Sequence, residues 1–393
     1  MQTADAVVIG GGVMGTSIAY RLAVQGRKTI LLEKGGIGEQ TSGSCDKGVF
    51  LQSKKPGIHL ELAKASREVY EHLDEELGVS FEFKRTGGMI VIETEGQREL
   101  MRTFVQHQQS AGISVRLLDQ KEALERQPAL AGHIVGATWC DEDAEVNPLL
   151  LSHAFASAAK QHGVKLMTHT KVVGIHCRQG KVDEVLTTKG TISTEIVINA
   201  AGPFAPAIGE MAGVSIPIKP RRGMILISEK TPPLVNGSVL CSQYILAKHL
   251  SLANGGAKES NPYGIGLSLG QTNAGNLLIG GSREFKGFDS SFDPDLATAI
   301  ASHAIRIVPA LARLRIIRAM IGFRPYTGDG LPIIAEAPEA KGFIVAAGHE
   351  GDGIALAPIT GMIVADLLEG RGRYAHFLEH LSLKRFAADA VRE

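Results

Sequence analysis

The chain has 393 residues, 41 Lys+Arg against 41 Asp+Glu for a formal net charge of zero, and 44% apolar residues. That length favours two domains over one core, and the charge balance gives no sign of the basic surface that nucleic acid or an anionic membrane would need. No apolar run reads as long enough to span a membrane and no basic region precedes the first apolar run, so a cytoplasmic protein is expected.

Ala6 to Ile9 reads as a buried strand that runs into Gly10-Gly11-Gly12-Val13-Met14-Gly15, a G-x-G-x-x-G pattern at Gly10, Gly12 and Gly15. Gly10 permits a tight turn, Gly12 lets the backbone approach a pyrophosphate, and Gly15 lets the next helix pack close to the sheet. That helix carries Ile18, Ala19, Leu22 and Ala23 on one face and stops at Gly26. Its free N–H groups favour a phosphate. A second strand, Lys28 to Leu32, ends at Glu33, placed to accept from a ribose diol. This unit predicts a dinucleotide site and disfavours a 2′-phosphate, but the residues alone leave NAD and FAD undecided.

Further along, 59–77 predicts a helix closed by Gly78, Gly88 to Ile92 a strand, and Arg98 to Gln109 a polar helix. A helix is expected from Asn147-Pro148 to about Gly163, then strands at Lys171 to Ile175, Val182 to Thr187 and Glu195 to Ala200. The last of these leads into the small-residue turn Asn199-Ala200-Ala201-Gly202-Pro203. Short strands follow at Met224 to Ile227, Gly264 to Leu269 and Asn276 to Ile279, with Ala253 to Asn261 expected as a mobile loop. The chain then returns to α/β character with strand Gly342 to Ala347, the turn Gly348 to Gly353 and a helix through Leu368. The expected fold is α/β. A discontinuous Rossmann-like dinucleotide domain (1–80, 145–220 and 330–393) accompanies a substrate domain (81–144 and 221–329) with a mixed β-sheet flanked by helices. Cys45, Cys140, Cys177 and Cys241 are widely spaced and read as free thiols rather than as ligands of a cluster.

The glycine unit with Glu33, then Thr41-Ser42-Gly43, Val172, Asn199-Ala200-Ala201-Gly202, Gly322-Phe323-Arg324-Pro325 and the final glycine turn occur in that order. Together they resemble the D-amino-acid oxidase superfamily of FAD-dependent amine oxidoreductases over essentially the whole chain. Within it the likeness is to glycine oxidase and to the catalytic subunits of proline, hydroxyproline and opine dehydrogenases and of hydrogen cyanide synthase. The resemblance implies FAD, bound by Gly10, Gly12, Val13, Met14, Gly15, Glu33, Lys34, Thr41, Ser42, Val172, Ala201 and Gly202. It also implies that the segment Gly351, Asp352, Gly353 and Ile354 lies against the flavin.

Arg324 matches the arginine that grips the amino-acid carboxylate in that family, and it would also border the cofactor. A planar guanidinium offers paired donors to a carboxylate in a way a lysine cannot. Tyr244 resembles family tyrosines over the active site, with core or lid packing as the competing reading. His376-Phe377-Leu378-Glu379-His380 matches H-x-x-E-H, but it lies in the tail with no evident third ligand, so no metal is expected. Gly266-Leu267-Ser268-Leu269-Gly270 matches G-x-S-x-G, yet it leads into another turn and strand rather than a helix.

The resemblance implies oxidation of the C–N bond of an amino or imino acid by hydride transfer to the flavin, in the catalytic subunit of a dehydrogenase with an electron-accepting partner subunit. A stand-alone glycine- or sarcosine-type oxidase making hydrogen peroxide is the alternative within enzymes. A non-catalytic flavin-binding subunit is the alternative outside them, against which an intact Arg324 weighs.

Overall fold

The computed structural model describes residues 2–249 and 261–386. Among the described residues, Ala6–Ile9 is buried throughout and pairs in parallel with Thr29–Leu32 on one side and Val197–Asn199 on the other. Lys165–Met167 and Phe343–Ala347 continue the parallel order, and Ile333–Glu336 closes one edge in the antiparallel sense. Unbroken apolar runs such as Ala6-Val7-Val8-Ile9 suit a parallel sheet covered on both faces.

The two-residue period of the strands sorts their side chains into two cores. Ala6, Val8, Ile198, Ile344 and Ala346 pack with the helices Val13–Val24, Ile58–Leu77, Pro148–Gln161 and Gly353–Glu369. Val7, Ile9, Val197, Phe343 and Val345 face the other way. They meet Val172, Ile175, Val182, Val185 and Ile192 of a four-stranded sheet formed by Gln2–Thr3, Gly190–Ser193, Lys181–Thr187 and Val172–Arg178. Each fully buried Val, Leu, Ile or Phe contributes about 1.5–3 kcal/mol.

Among the described residues, the second large sheet has eight strands. Their order is Ile316–Tyr326, Lys219–Lys230, Asn276–Gly280, Ser268–Gln271, Ser238–Cys241, Gly88–Ile92, Gly136–Cys140 and Val115–Asp119. Only Ser238–Cys241 and Gly88–Ile92 pair in parallel there, so the sheet is mixed. The helix Pro294–Ile307 covers one face with Leu296, Ile300, Ala304 and Ile307. The structure thus joins a discontinuous Rossmann-like region to a mixed substrate sheet with flanking helices.

Two expectations need revision. The strand expected from Gly264 begins only at Ser268, because Gly264 takes a left-handed φ of +56° and the Leu267 N–H donates to the Cys241 thiol sulfur at 3.1 Å. The G-x-S-x-G run therefore enters a strand and not a helix. The segment Glu350–Glu369 is long and apolar enough to cross a membrane by length and composition, contrary to the reading of the sequence. Its apolarity belongs to the interior, since 72% of that window is buried and Gly353–Glu369 packs against Val13–Val24 and Ile58–Leu77. Residues 253–260 of the expected loop lie outside the described residues.

Candidate functional site

A cleft of about 400 Å³ opens at the carboxyl ends of Ala6–Ile9 and Thr29–Leu32. Gly10, Gly12, Val13, Met14, Glu33, Lys34, Thr41, Ser42, Val172, Ala201 and Gly202 all line it. Gly10 has φ +113°, and a Cβ there would meet the Ala200 carbonyl. Gly15 lies beneath, where a Cβ would run into the Gly10 carbonyl, so helix and turn touch backbone to backbone. The helix Val13–Val24 has no side-chain cap from Gly12, and only its first N–H is taken, by Ser42 Oγ at 3.0 Å. Its remaining amides form a phosphate-binding end.

Glu33 accepts from the Gly11 N–H at 2.6 Å and the Gly35 N–H at 2.7 Å, one on each carboxylate oxygen. The acid therefore braces the glycine turn and still has acceptor sites for a diol. Lys34 packs its ammonium 3.4 Å from the Phe204 ring centroid, and burial lowers its pKa. Thr41 donates to the Phe323 carbonyl at 2.7 Å, tying the cofactor segment to the strand that carries Arg324. A glycine cradle, an uncapped helix end and an acid with spare acceptors fit the pyrophosphate and ribose of FAD.

The terminal turn enters the cleft with His349, Glu350 and Gly353. His349 is buried with its Nε2 3.0 Å from Thr360 Oγ1, and burial pushes its pKa down to about 3. It is a neutral structural group. The Asp352 carboxylate is turned to Lys54 Nζ at 2.7 Å and His59 Nε2 at 2.9 Å, and it lines neither cavity of the site. It anchors the turn to Lys54, ahead of the helix Ile58–Leu77, and to His59 in that helix's first turn.

A smaller cavity of about 70 Å³ adjoins the cleft and shares Val13, Thr41, Ser42, Glu350 and Gly353 with it. Its other walls include Cys45, Asp46, Gly223, Tyr244, Arg324, Gly351 and Ile354. The antiparallel register of Lys219–Lys230 and Ile316–Tyr326 sets Arg221 opposite Arg324 and Gly223 opposite Gly322. A Cβ on Gly223 would displace the Arg324 guanidinium from its present position. One guanidinium nitrogen of Arg324 donates to the Ser282 carbonyl at 3.0 Å.

Sequence reasoning missed several neighbours of Arg324. Arg221 reaches Glu350 at 3.3 Å and packs on the rings of Phe285 and Tyr326, and burial lowers its pKa to about 10. Arg283 is buried with its Cζ 4.0 Å from the Tyr244 ring centroid. Tyr244 in turn brings its hydroxyl near Gly351, and burial raises its pKa. Asp46 faces the same cavity. Its signal was its place four residues after Ser42, on the segment that leaves the cofactor cleft. Arg222, by contrast, is only 1% exposed and bonds Glu284 at 2.6 Å and the Asp289 carbonyl at 2.8 Å, a structural role.

A model of the FAD dependent oxidoreductase family matches residues 5–367. The hydrogen cyanide synthase subunit HcnC of Pseudomonas aeruginosa is 31% identical, over 93% of each chain. Among solved structures, L-proline dehydrogenase from P. horikoshii superposes with a TM-score of 0.88 at 28% identity, over 99% of both chains. Glycine oxidase from Geobacillus kaustophilus does so with a TM-score of 0.84 at 29% identity, over 94% of this chain and 95% of that one.

Two expectations follow from this geometry. Hydrogen bonds to charged groups are worth about 1.5–3 kcal/mol, so Glu33→Ala should weaken FAD retention by roughly tenfold to a hundredfold while the protein still folds. Flavin absorbance after dialysis reads this, and full retention would show that the acid makes no contribution. The second concerns His349. Between its ordinary value of 6.5 and its folded value of about 3, the unfolded chain binds the extra proton, so His349 makes stability fall as pH falls through that window. His349→Gln should remove that slope, and a wild-type-minus-variant difference in urea midpoint that stays constant from about pH 7 to about pH 4 would refute it.

Proposed function

The chain belongs to the FAD dependent oxidoreductase family, and from that premise we propose that it oxidises the C–N bond of an amino or imino acid as the catalytic subunit of a dehydrogenase in which Arg324 holds the substrate carboxylate. The observation that carries the reading is the small cavity beside the cofactor cleft, with the Arg324 guanidinium in its wall and a glycine facing it where any side chain would displace that group.

FAD, when bound, supplies the acceptor for the hydride that leaves the substrate Cα. Arg324 fixes the carboxylate through paired donors, which restricts the rotation of Cα about it and so orients the C–H bond. The Ser282 carbonyl holds one edge of the guanidinium still. Tyr244 and Ile354 wall the cavity and reduce its water. The helix Gly353–Glu369 has no side-chain cap, and its end favours nearby negative charge by about 0.3–2 kcal/mol.

Assignment as a subunit rests on two supports. The relative from Pseudomonas aeruginosa is itself named a subunit. Cys45, Cys140, Cys177 and Cys241 are free and dispersed, so an iron–sulfur relay would be held by a partner.

Losing one member of a buried charged contact costs about 3–5 kcal/mol, so Arg324→Ala should lower kcat/KM by roughly two to four decades with FAD retained. Arg324→Lys should recover only part of this. Near wild-type turnover of a carboxylate substrate by the alanine variant would remove Arg324 from the role. As for the electron acceptor, substrate-reduced protein mixed with aerated buffer in a stopped-flow instrument should reoxidise far more slowly than it turns over with an artificial dye. Reoxidation as fast as turnover, with stoichiometric peroxide, would instead establish a stand-alone oxidase.

A further inference from the structure

We propose that Asp46 recognises the substrate nitrogen, so that the cavity takes its amino or imino acid as a zwitterion with the carboxylate on Arg324 and the ammonium on Asp46, which accepts one ammonium proton and so frees the nitrogen lone pair before the hydride leaves Cα. This deepens the preceding reading and rests on it.

Two carboxylates line the small cavity. Glu350 is committed, since it pairs with Arg221 at 3.3 Å and accepts from the Gly351 N–H. Asp46 accepts a short hydrogen bond, 2.6 Å, from Ser268 Oγ on one oxygen, and on the other only a long 3.4 Å approach from the Gly48 N–H. A carboxylate has about four acceptor positions, so Asp46 keeps capacity for a further donor. No ion pair joins it to Arg324 among the described residues, although both line the same space of about 70 Å³. Opposite charges held apart across so small a cavity match the two ends of an α-amino acid.

The anchoring also suits a binding group. Ser268 belongs to the strand Ser268–Gln271 within the eight-stranded sheet, so Asp46 is held from a rigid element. On its own chain side, Asp46 follows Ser42, whose hydroxyl bonds the first amide of the phosphate-binding helix. The substrate nitrogen would therefore be registered against the cofactor segment and the sheet together. Arg324 alone would accept any small 2-substituted carboxylate. A facing carboxylate adds a requirement for a cation at the second position, and so selects amino and imino acids over 2-hydroxy acids.

The test uses the FAD-loaded protein and the Asp46→Asn variant, which keeps the shape and a partner for Ser268. Anaerobic flavin difference spectra are titrated with acetate, which carries only the carboxylate, and flavin reduction is titrated with an amino or imino acid that bleaches the wild type. The expected result is a tenfold to hundredfold higher half-saturating concentration of the amino acid, with acetate affinity unchanged within about twofold. Equal weakening of both ligands, or of neither, overturns the proposal. Should Asp46→Asn lose its flavin, Ser268→Ala frees the carboxylate without removing it. It should weaken the amino acid several-fold and spare acetate, and a parallel change in both again overturns the proposal. If no amino or imino acid bleaches the wild-type flavin, it is the preceding reading that fails, before any variant is compared.

Discussion

Everything in this protein is arranged around a place where backbone must touch backbone. The buried strand Ala6–Ile9 ends at Gly10, whose φ of +113° turns the chain within contact distance of the Ala200 carbonyl. Gly15 in the next helix sits on the Gly10 carbonyl. Any side chain at either position would push the helix from the sheet, close the cleft and draw its amides away from the phosphates. Because those contacts are short, the strand, the helix and the turn at 200–202 act as one rigid seat. Glu33 then clamps the turn from the neighbouring strand through the Gly11 N–H, so an acid that lines the cleft also braces the seat.

The substrate side depends on that seat through few connections. Thr41 bonds the Phe323 carbonyl, which joins the cofactor segment to the strand bearing Arg324. Across the sheet, register does the rest. With Arg221 opposite Arg324 and Gly223 opposite Gly322, two guanidinium groups and a gap fall on adjoining positions beside the terminal turn. Arg221 is balanced by Glu350, which holds the φ of +48° seen in that turn, while Arg324 keeps donors for a ligand. A buried positive face of this kind would repel itself without the acids, and the placement of Glu350 and Asp46 supplies that balance from two different parts of the chain.

The turn also shows how neighbouring residues in one short motif divide their work. Gly351 and Gly353 line the cavities. His349 bonds Thr360 inside the helix layer, and Asp352 holds Lys54 and His59. A motif read as one cofactor-facing unit is therefore half cradle and half anchor. Backbone at Gly351 and Gly353 meets the cavities while the Asp352 side chain turns into the protein, within a single-turn 3₁₀ segment, Glu350–Asp352, ahead of the helix.

The sequence by itself determined the nucleotide-binding unit, the apolar strands and the helix ends, because each is encoded locally: a two-residue period, a glycine where φ is positive, an acid closing a strand. It also carried the family likeness through motifs in chain order. It misjudged the strand before Ser268, where a thiol takes the backbone N–H, and the segment 350–369, whose apolarity serves a buried core. Only the tertiary structure decided that Asp46 lines the same cavity as Arg324, that Arg221 stands opposite Arg324 in the sheet and that Asp352 turns away. Those facts follow from strand register and from contacts between segments far apart in the chain. No short-range pattern records them, since a shift of one residue in register would leave every local signal intact and move every side chain to the opposite face.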